Sequence, residues 1–319
     1  MLEIKNVYKT FNPGTVNQKV ALNDLNLTLE DGDFVTVIGG NGAGKSTTLN
    51  AVAGVWPVDS GQILIDGVDV TGLPEHKRAK YLGRVFQDPM TGTVADMEIL
   101  ENLALAARRG KKRGLSWGVK KSEKEEYRTL LKQFELGLED RMTSKVGLLS
   151  GGQRQRICIA RTLVVDPKLV VCDEPVSALD VSIQAQIINL LEQIQAEMGI
   201  SYIFIAHDLA VVKHISDRIL VMYLGRVMEI APCEELYEHS LHPYTQALLS
   251  AIPVADPEIE ENREVTTVQG EVPSILKRPS GCPFHNRCPQ CTERCKQETP
   301  QLHEAFPGHF VACHLYGQE

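Results

Sequence analysis

Positive charge is what this sequence has too little of. Its 33 lysines and arginines stand against 41 aspartates and glutamates, a net charge of −8, whereas a general nucleic-acid binder carries a basic face. Long apolar runs are missing as well: none approaches the ~18 residues that a membrane-crossing helix needs. The first residues, Met1-Leu2-Glu3-Ile4-Lys5, lack the apolar core of a signal peptide. These absences predict a cytoplasmic chain whose membrane link, if it has one, runs through a partner. There is no internal repeat and no low-complexity tract. What is present is an ordinary globular profile of 319 residues, 43% hydrophobic and 23% charged, enough for one large domain or two smaller ones.

The chain is organised around Gly39-Gly40-Asn41-Gly42-Ala43-Gly44-Lys45-Ser46-Thr47, which fits the phosphate-binding pattern G-x-x-x-x-G-K-[ST]. The run before it, Phe34 to Ile38, is apolar and β-branched and predicts a buried strand. The run after it, Thr48 to Gly54, predicts a helix ending near Gly54. Strand, glycine loop and helix are the context that separates the motif from a chance turn. The glycines let the backbone curl so that successive N–H groups point at phosphate oxygens. Lys45 adds charge for the β- and γ-phosphates, and the Ser46 hydroxyl can ligate Mg²⁺.

Around this loop the chain reads as an α/β protein. Residues 1–33 alternate apolar and polar, which predicts antiparallel strands with one solvated face. Phe11 lies in a turn-rich stretch, free to stack on a base or simply to pack. Asp59-Ser60-Gly61 predicts a turn, Gln62 to Gly67 a short strand and turn, and residues 82–86 a strand ending in Gln87. A glutamine there can touch Mg²⁺ or an attacking water; alone it would be a surface residue. From Asp88 to about Gly147 the period turns helical, with Met97, Leu100, Leu103, Ala104 and Ala107 on one stripe and Tyr127, Leu130, Leu131 and Phe134 on another. Between them run Arg108 to Arg113 and Lys120-Lys121, a solvated basic loop or a contact with anionic headgroups beside a membrane partner. Leu149-Ser150-Gly151-Gly152-Gln153 opens a further helix, whose free N–H groups and Ser150 hydroxyl suit a phosphate or a plain cap. Leu169 to Asp173 predicts a central parallel strand, and an acid at its carboxyl end lies where open α/β sheets bind ligands. Asp173 would hold Mg²⁺ directly or through water, and Glu174 would orient or deprotonate the attacking water. A loop, Ser177-Ala178-Leu179-Asp180, and an amphipathic helix to Gly199 follow. His207 then closes another buried strand, placed for a γ-phosphate contact. Two short β-like runs, Arg218 to Tyr223 and Arg226 to Ile230, complete this part. From about His239, Pro243, Pro253, Pro257, Pro273 and Pro279 predict an extended, irregular tail.

In type, order and spacing these motifs resemble the ATP-binding subunits of ABC transporters over residues 1–235. The resemblance implies a P-loop NTPase fold: a mostly parallel central sheet, an antiparallel β subdomain, a helical subdomain at about 88–150 within a 1–238 nucleotide-binding domain, and a cysteine-rich extension at 239–319. It implies ATP and Mg²⁺ as cofactors and a head-to-tail homo- or heterodimer with two sandwiched ATP molecules. Phe11, Gly39, Asn41, Gly42, Gly44, Lys45, Ser46 and Thr47 would bind nucleotide. Gln87, Glu174 and His207 would serve the chemistry, and Ser46, Gln87 and Asp173 would hold the metal. Ser150, Gly151, Gly152, Gln153 and Asp180 belong to the signature and the loop after the catalytic strand, with Ser150 and Gly152 acting on the other subunit's ATP. The partners implied are membrane permease subunits, a second ATP-binding subunit and, indirectly, an extracytoplasmic substrate-binding protein. No nucleic acid is implied, and the location is the cytoplasmic face of the membrane.

From about Gly151 onward the chain resembles the oligopeptide/dipeptide-importer ATPases, through Gly151 to Ile157, Asp173 to Ser182, His242-Pro243-Tyr244 and Val311 to Leu315. Residues 1–150 look more like ATPases of an amino-acid-type importer group, which suggests a recombinant joined within the shared signature. The chain has eight cysteines, five of them between Cys282 and Cys313. In a reducing compartment such a cluster suggests metal before disulfides. Cys282, Cys288, Cys295 and Cys313 can ligate a [4Fe–4S] cluster or Zn²⁺, with Cys291 an extra thiol, and peptide-importer ATPases are similar here. Competing expectations are an amino-acid-type importer ATPase, a soluble non-transport ABC ATPase, and a metal-binding regulator in which the cassette is a switch.

Overall fold

Alternating burial along the first thirty residues builds a hairpin. β1 (Leu2–Phe11) and β2 (Lys19–Leu29) pair antiparallel, with Leu2, Ile4, Val7, Leu25, Leu27 and Leu29 turned to one buried face. β3 (Phe34–Ile38) is buried at every residue. It runs through the glycine loop into α1 (Lys45–Ala53), which starts three residues earlier than the spacing predicts because the loop feeds straight into it and Gly54 ends it in a left-handed turn. β4 (Ser60–Ile65) and β5 (Val68–Asp69) complete a four-stranded antiparallel sheet in the order β2-β1-β4-β5. The predicted turn at Ser60-Gly61 is strand instead, bent at Gly61 against the Asn6 carbonyl.

Next come α2 (Glu75–Arg78), β6 (Leu82–Val85), α3 (Pro89–Gly92), α4 (Ile99–Ala107) and α5 (Lys121–Lys132). Met97 falls outside α4, whose N-cap is Glu98, and is exposed, and Phe134 lies just past the end of α5 yet is buried; the other predicted stripe residues stand on their helices. α6 (Gly151–Leu163), β7 (Leu169–Asp173), α7 (Val181–Met198), β8 (Ser201–Ile205), α8 (Leu209–Ile215), β9 (Arg218–Tyr223), β10 (Arg226–Pro232), α9 (Cys233–Glu238) and α10 (Pro243–Ser250) follow. This computed structural model describes residues 1–109, 111, 118–134, 136–252, 270, 273–274, 276 and 278–316. The rest of the basic stretch, residues 110, 112 and 113, lies outside them.

The main sheet has the order β11-β12-β10-β9-β3-β8-β7-β6, in which β9, β3, β8, β7 and β6 are parallel; β11 (His303–Phe306) and β12 (His309–Val311) come from the end of the chain. Parallel strands are covered on both faces, and the side chains alternate accordingly. Phe34, Ile38, Tyr202 and Phe204 enter the core packed by α4 to α7. Val35, Val37, Ile203 and Ile205 enter a second core with α1 and the antiparallel sheet.

The predicted irregular tail is corrected where the structure describes it; Pro253 and Pro257 lie outside the described residues. Past His239 the chain forms α10, a short helix at Glu293–Gln297 and the β11/β12 hairpin, and β12 adds to the main sheet by pairing Val311 with Glu229 and Phe310 with Ile230. Pro243 starts α10 rather than blocking a helix, since a first-turn residue has no intrahelical N–H bond to lose. Phe284, fully buried against Tyr223 and Tyr244, anchors the tail; burying a phenylalanine is worth roughly 1.5–3 kcal/mol.

Candidate active site

The register of the parallel strands decides which residues meet. Val37 pairs with Ile205, Asp173 with Ile205, and Val85 with Cys172. The carboxyl ends of β3, β6, β7 and β8 therefore share one edge. There they release the glycine loop, Gln87, Glu174 and His207, which is where open α/β sheets bind ligands. Asn41, Gly42, Gly44, Lys45, Ser46, Thr47, Glu174 and His207 line one open cavity of about 220 Å³, with Lys19 beside them. That is small against the ~300–1,000 Å³ of pockets that enclose ligands, so one chain surrounds only part of a nucleotide.

Within the cavity the loop is tightly set. Gly39 has φ +145, and a Cβ there would collide with the Met222 carbonyl oxygen. Gly44, at φ +106, caps α1. Lys45 Nζ donates to the carbonyls of Gly39 at 2.6 Å and Gly40 at 3.3 Å, and burial lowers its pKa against the opposing pull of Glu174 and Asp173. Ser46 Oγ donates to Asp173 Oδ1 at 3.3 Å. Burial raises the Asp173 carboxyl, partly offset by Arg84 and the Ser46 hydrogen bond. These two hard oxygen donors suit Mg²⁺.

Glu174 sits directly after β7 at φ +47, in the left-handed region a glutamate rarely adopts. The turn aims its side chain back across the strand ends. One carboxylate oxygen meets His207 Nε2 at 2.6 Å, and the other accepts from Gln87 Nε2 at 3.2 Å. Its side chain is 16% exposed and that of His207 48%. Gln87 also donates to Ser177 Oγ at 3.3 Å. Three groups chosen from separate motifs thus form one hydrogen-bonded set, with Ser177 joined to it.

The signature does not join them within this chain. Ser150 Oγ accepts from the Gln153 N–H at 3.3 Å while Gln153 Oε1 accepts from the Ser150 N–H at 3.2 Å, a reciprocal cap at the start of α6. Gly152 lets α7 approach, since a Cβ there would lie 2.6 Å from Ile183 Cγ2. Asp180 caps α7 through the Ile183 N–H at 3.0 Å. None of Ser150, Gly151, Gly152, Gln153 or Asp180 lines the cavity. Phe11 packs edge-on against Trp56 at 4.9 Å, with Lys9 over its ring.

The sequence reading missed Arg84, Lys19 and Tyr244. Arg84 Nη2 donates to Asn50 Oδ1 at 2.9 Å, and Asn50 Nδ2 to the Ser46 carbonyl at 2.7 Å, which ties β6 to the loop helix; no local pattern marks an arginine inside a strand. A larger groove of about 950 Å³ lies between α4 and α5 and includes Glu98, Arg108, Glu123 and Tyr127, but none of the phosphate-loop residues.

The structure gives the expected metal site in the tail no support. Among the described residues no group of three or more His, Cys, Asp or Glu side chains could hold a metal ion. Cys282 and Cys295 are buried in the main core, with Cys288 packed against it, and Cys313 sits in a small cluster with Val311 and Leu241. Burial pushes the Cys282 thiol up to about 12 and Cys313 up to about 11. Among the described residues no helix is long and apolar enough to cross a membrane.

Residues 22–177 match the ABC transporter family, and residues 228–295 match the C-terminal region of oligopeptide/dipeptide transporters. The oligopeptide transport ATP-binding protein AppF of Bacillus subtilis is 42% identical over 99% of this chain and 97% of its own length. OppF of Escherichia coli, of the same description, is 44% identical over 92% and 87%. Both alignments span residues from both halves of the chain. Among solved structures, the post-hydrolysis dimer of the ATP-binding cassette MJ0796 with ADP and Pi superposes at TM-score 0.63, with 31% identity over 73% of this chain and 99% of that one. A nucleotide-free cassette from an ABC transporter superposes at 0.65, with 27% identity over 81% and 96%. The strand-end constellation and these matches define an ATP-hydrolysing cassette. The chain belongs to the ABC transporter family, as an ATP-binding subunit.

Proposed function

We propose that this chain energises an importer of oligopeptides or dipeptides by binding and hydrolysing ATP at the carboxyl edge of its parallel sheet. The observation that carries the chemistry is the convergence of Lys45, Ser46, Asp173, Glu174, Gln87 and His207 on that edge. Lys45 and the loop N–H groups take the phosphates, Ser46 and Asp173 hold Mg²⁺, Glu174 orients or deprotonates water, and His207 and Gln87 fix Glu174. Bound Mg²⁺ supplies charge neutralisation for the phosphates. That Ser150 and Gly152 do not line the small cavity supports a head-to-tail pair, in which a second ATP-binding subunit covers each nucleotide. Residues 1–238 would form the nucleotide-binding domain and 239–319 the extension, docked at the cytoplasmic face of the membrane on permease subunits that receive substrate from an extracytoplasmic binding protein. The likeness to peptide-transport relatives supports the substrate class.

The test is to tag the chain in its source cell and identify what co-purifies from solubilised membranes. A peptide-type permease is the expected result. An amino-acid-type permease would hand control to the helical subdomain and overturn the substrate class, and recovery without any permease would favour a non-transport ATPase. The finer reading of the tail, a [4Fe–4S] cluster on Cys282, Cys288, Cys295 and Cys313, rests on their spacing in the sequence. Anaerobically purified protein should then contain iron with acid-labile sulfide; zinc alone, or neither, removes it.

A further inference from the structure

One peptide unit of the phosphate loop is gripped at both ends. The Gly39 carbonyl accepts from Lys45 Nζ at 2.6 Å, and the Gly40 N–H donates to the Tyr244 hydroxyl at 2.9 Å. These two groups belong to the same planar peptide, so fixing the direction of one fixes the other. The hydroxyl comes from α10, in the region that matches the oligopeptide/dipeptide transporter C-terminal family. Its support is rigid. The Tyr244 ring is buried between Tyr223, at 4.6 Å, and Phe284, at 5.3 Å. Its backbone N–H donates to His242 Nδ1 at 2.9 Å, and the His242 N–H donates to the buried Glu229 carboxyl at 3.1 Å.

We propose that Tyr244 is a positioning residue for nucleotide binding: its hydroxyl orients the Gly39–Gly40 peptide and thereby sets where Lys45 Nζ rests in the phosphate loop. A loop already held in one geometry loses less conformational freedom when phosphate binds. The effect falls on affinity and not on the chemical step, because Tyr244 has no bond to Glu174, His207 or Gln87 among the interactions that form the catalytic set. The extension is in this respect part of the nucleotide site and not an appendage. The inference rests on the loop 39–47 being the phosphate site.

Tyr244→Phe keeps the ring between Tyr223 and Phe284 and removes only the hydroxyl. The expected result is ATP binding weakened about fivefold, the size of one lost hydrogen bond, with kcat within about twofold and a thermal midpoint lowered by no more than about 4 °C. Titration with ATP, steady-state phosphate release and thermal melting read the three quantities. Wild-type affinity in Tyr244→Phe overturns the proposal, as does a loss of kcat or of midpoint without a loss of affinity. Lys45→Ala measured alongside separates the two levels. If it abolishes binding while Tyr244→Phe does not weaken it, only the role of Tyr244 falls; if it binds ATP normally, the phosphate-loop reading itself falls.

Discussion

Glu174→Gln should keep ATP binding and lose turnover. The replacement is nearly isosteric and leaves Lys45, Ser46 and Asp173 in place, so affinity should stay within about twofold. The carboxylate, however, is the one group that faces both His207 and Gln87. A glutamine amide presents one acceptor and one donor where the carboxylate presented two acceptors. It cannot take a proton from water, and its NH₂ opposes whichever partner donates. General-base contributions run at about 10²–10⁴-fold, and kcat should fall by that order when phosphate release is measured in the permease complex. The left-handed turn at Glu174 makes this position unforgiving, because the backbone strain is tolerated only where surrounding structure enforces it. Hydrolysis within tenfold of wild type, with binding intact, would remove Glu174 from the catalytic role.

Glu229→Ala should have the largest effect on stability. Glu229 is fully buried in β10. Its Oε1 accepts from the Leu241 N–H at 2.6 Å and meets His309 Nε2 at 2.7 Å, while Oε2 accepts from the His242 N–H at 3.1 Å. One carboxyl group thus fastens the start of α10 and the strand β12 to the main sheet. Alanine strands three buried polar groups, the N–H groups of Leu241 and His242 and the His309 ring. Each unpaired group costs about 1–3 kcal/mol, and shared relaxation brings the sum to roughly 3–5 kcal/mol, as for other broken buried pairs. Thermal melting should show a midpoint lowered by roughly 5–10 °C. Hydrogen exchange should quicken first in β12 and α10, and ATP affinity should fall with them, since Tyr244 stands on that helix. A midpoint equal to wild type would mean that the tail is held by Phe284 and the hairpin alone.

The groups that meet at the strand ends were legible in the sequence because each motif is local. A glycine loop must lie between a strand and a helix to present its N–H groups, and an acid pair after an apolar run must lie at a strand end. Lys45, Ser46, Asp173, Glu174 and His207 follow from such short-range rules, and so does the division into antiparallel, parallel and helical parts. The proline-marked tail misled for the same reason: residue types predict local conformation, and nothing local says that Val311 pairs with Glu229 or that Phe284 fills a gap beside Tyr223. Those contacts join segments some eighty and sixty residues apart and are decided by which surfaces the folded cassette leaves open. The places of the tail thiols and the tie from Tyr244 to Gly40 are decided in the same way. Sequence alone picked out the groups proposed for the chemistry, since those proposals depend on residue type and spacing. Only the tertiary structure decided which groups hold them in place, because that depends on strand register and on burial shared between distant parts of the chain.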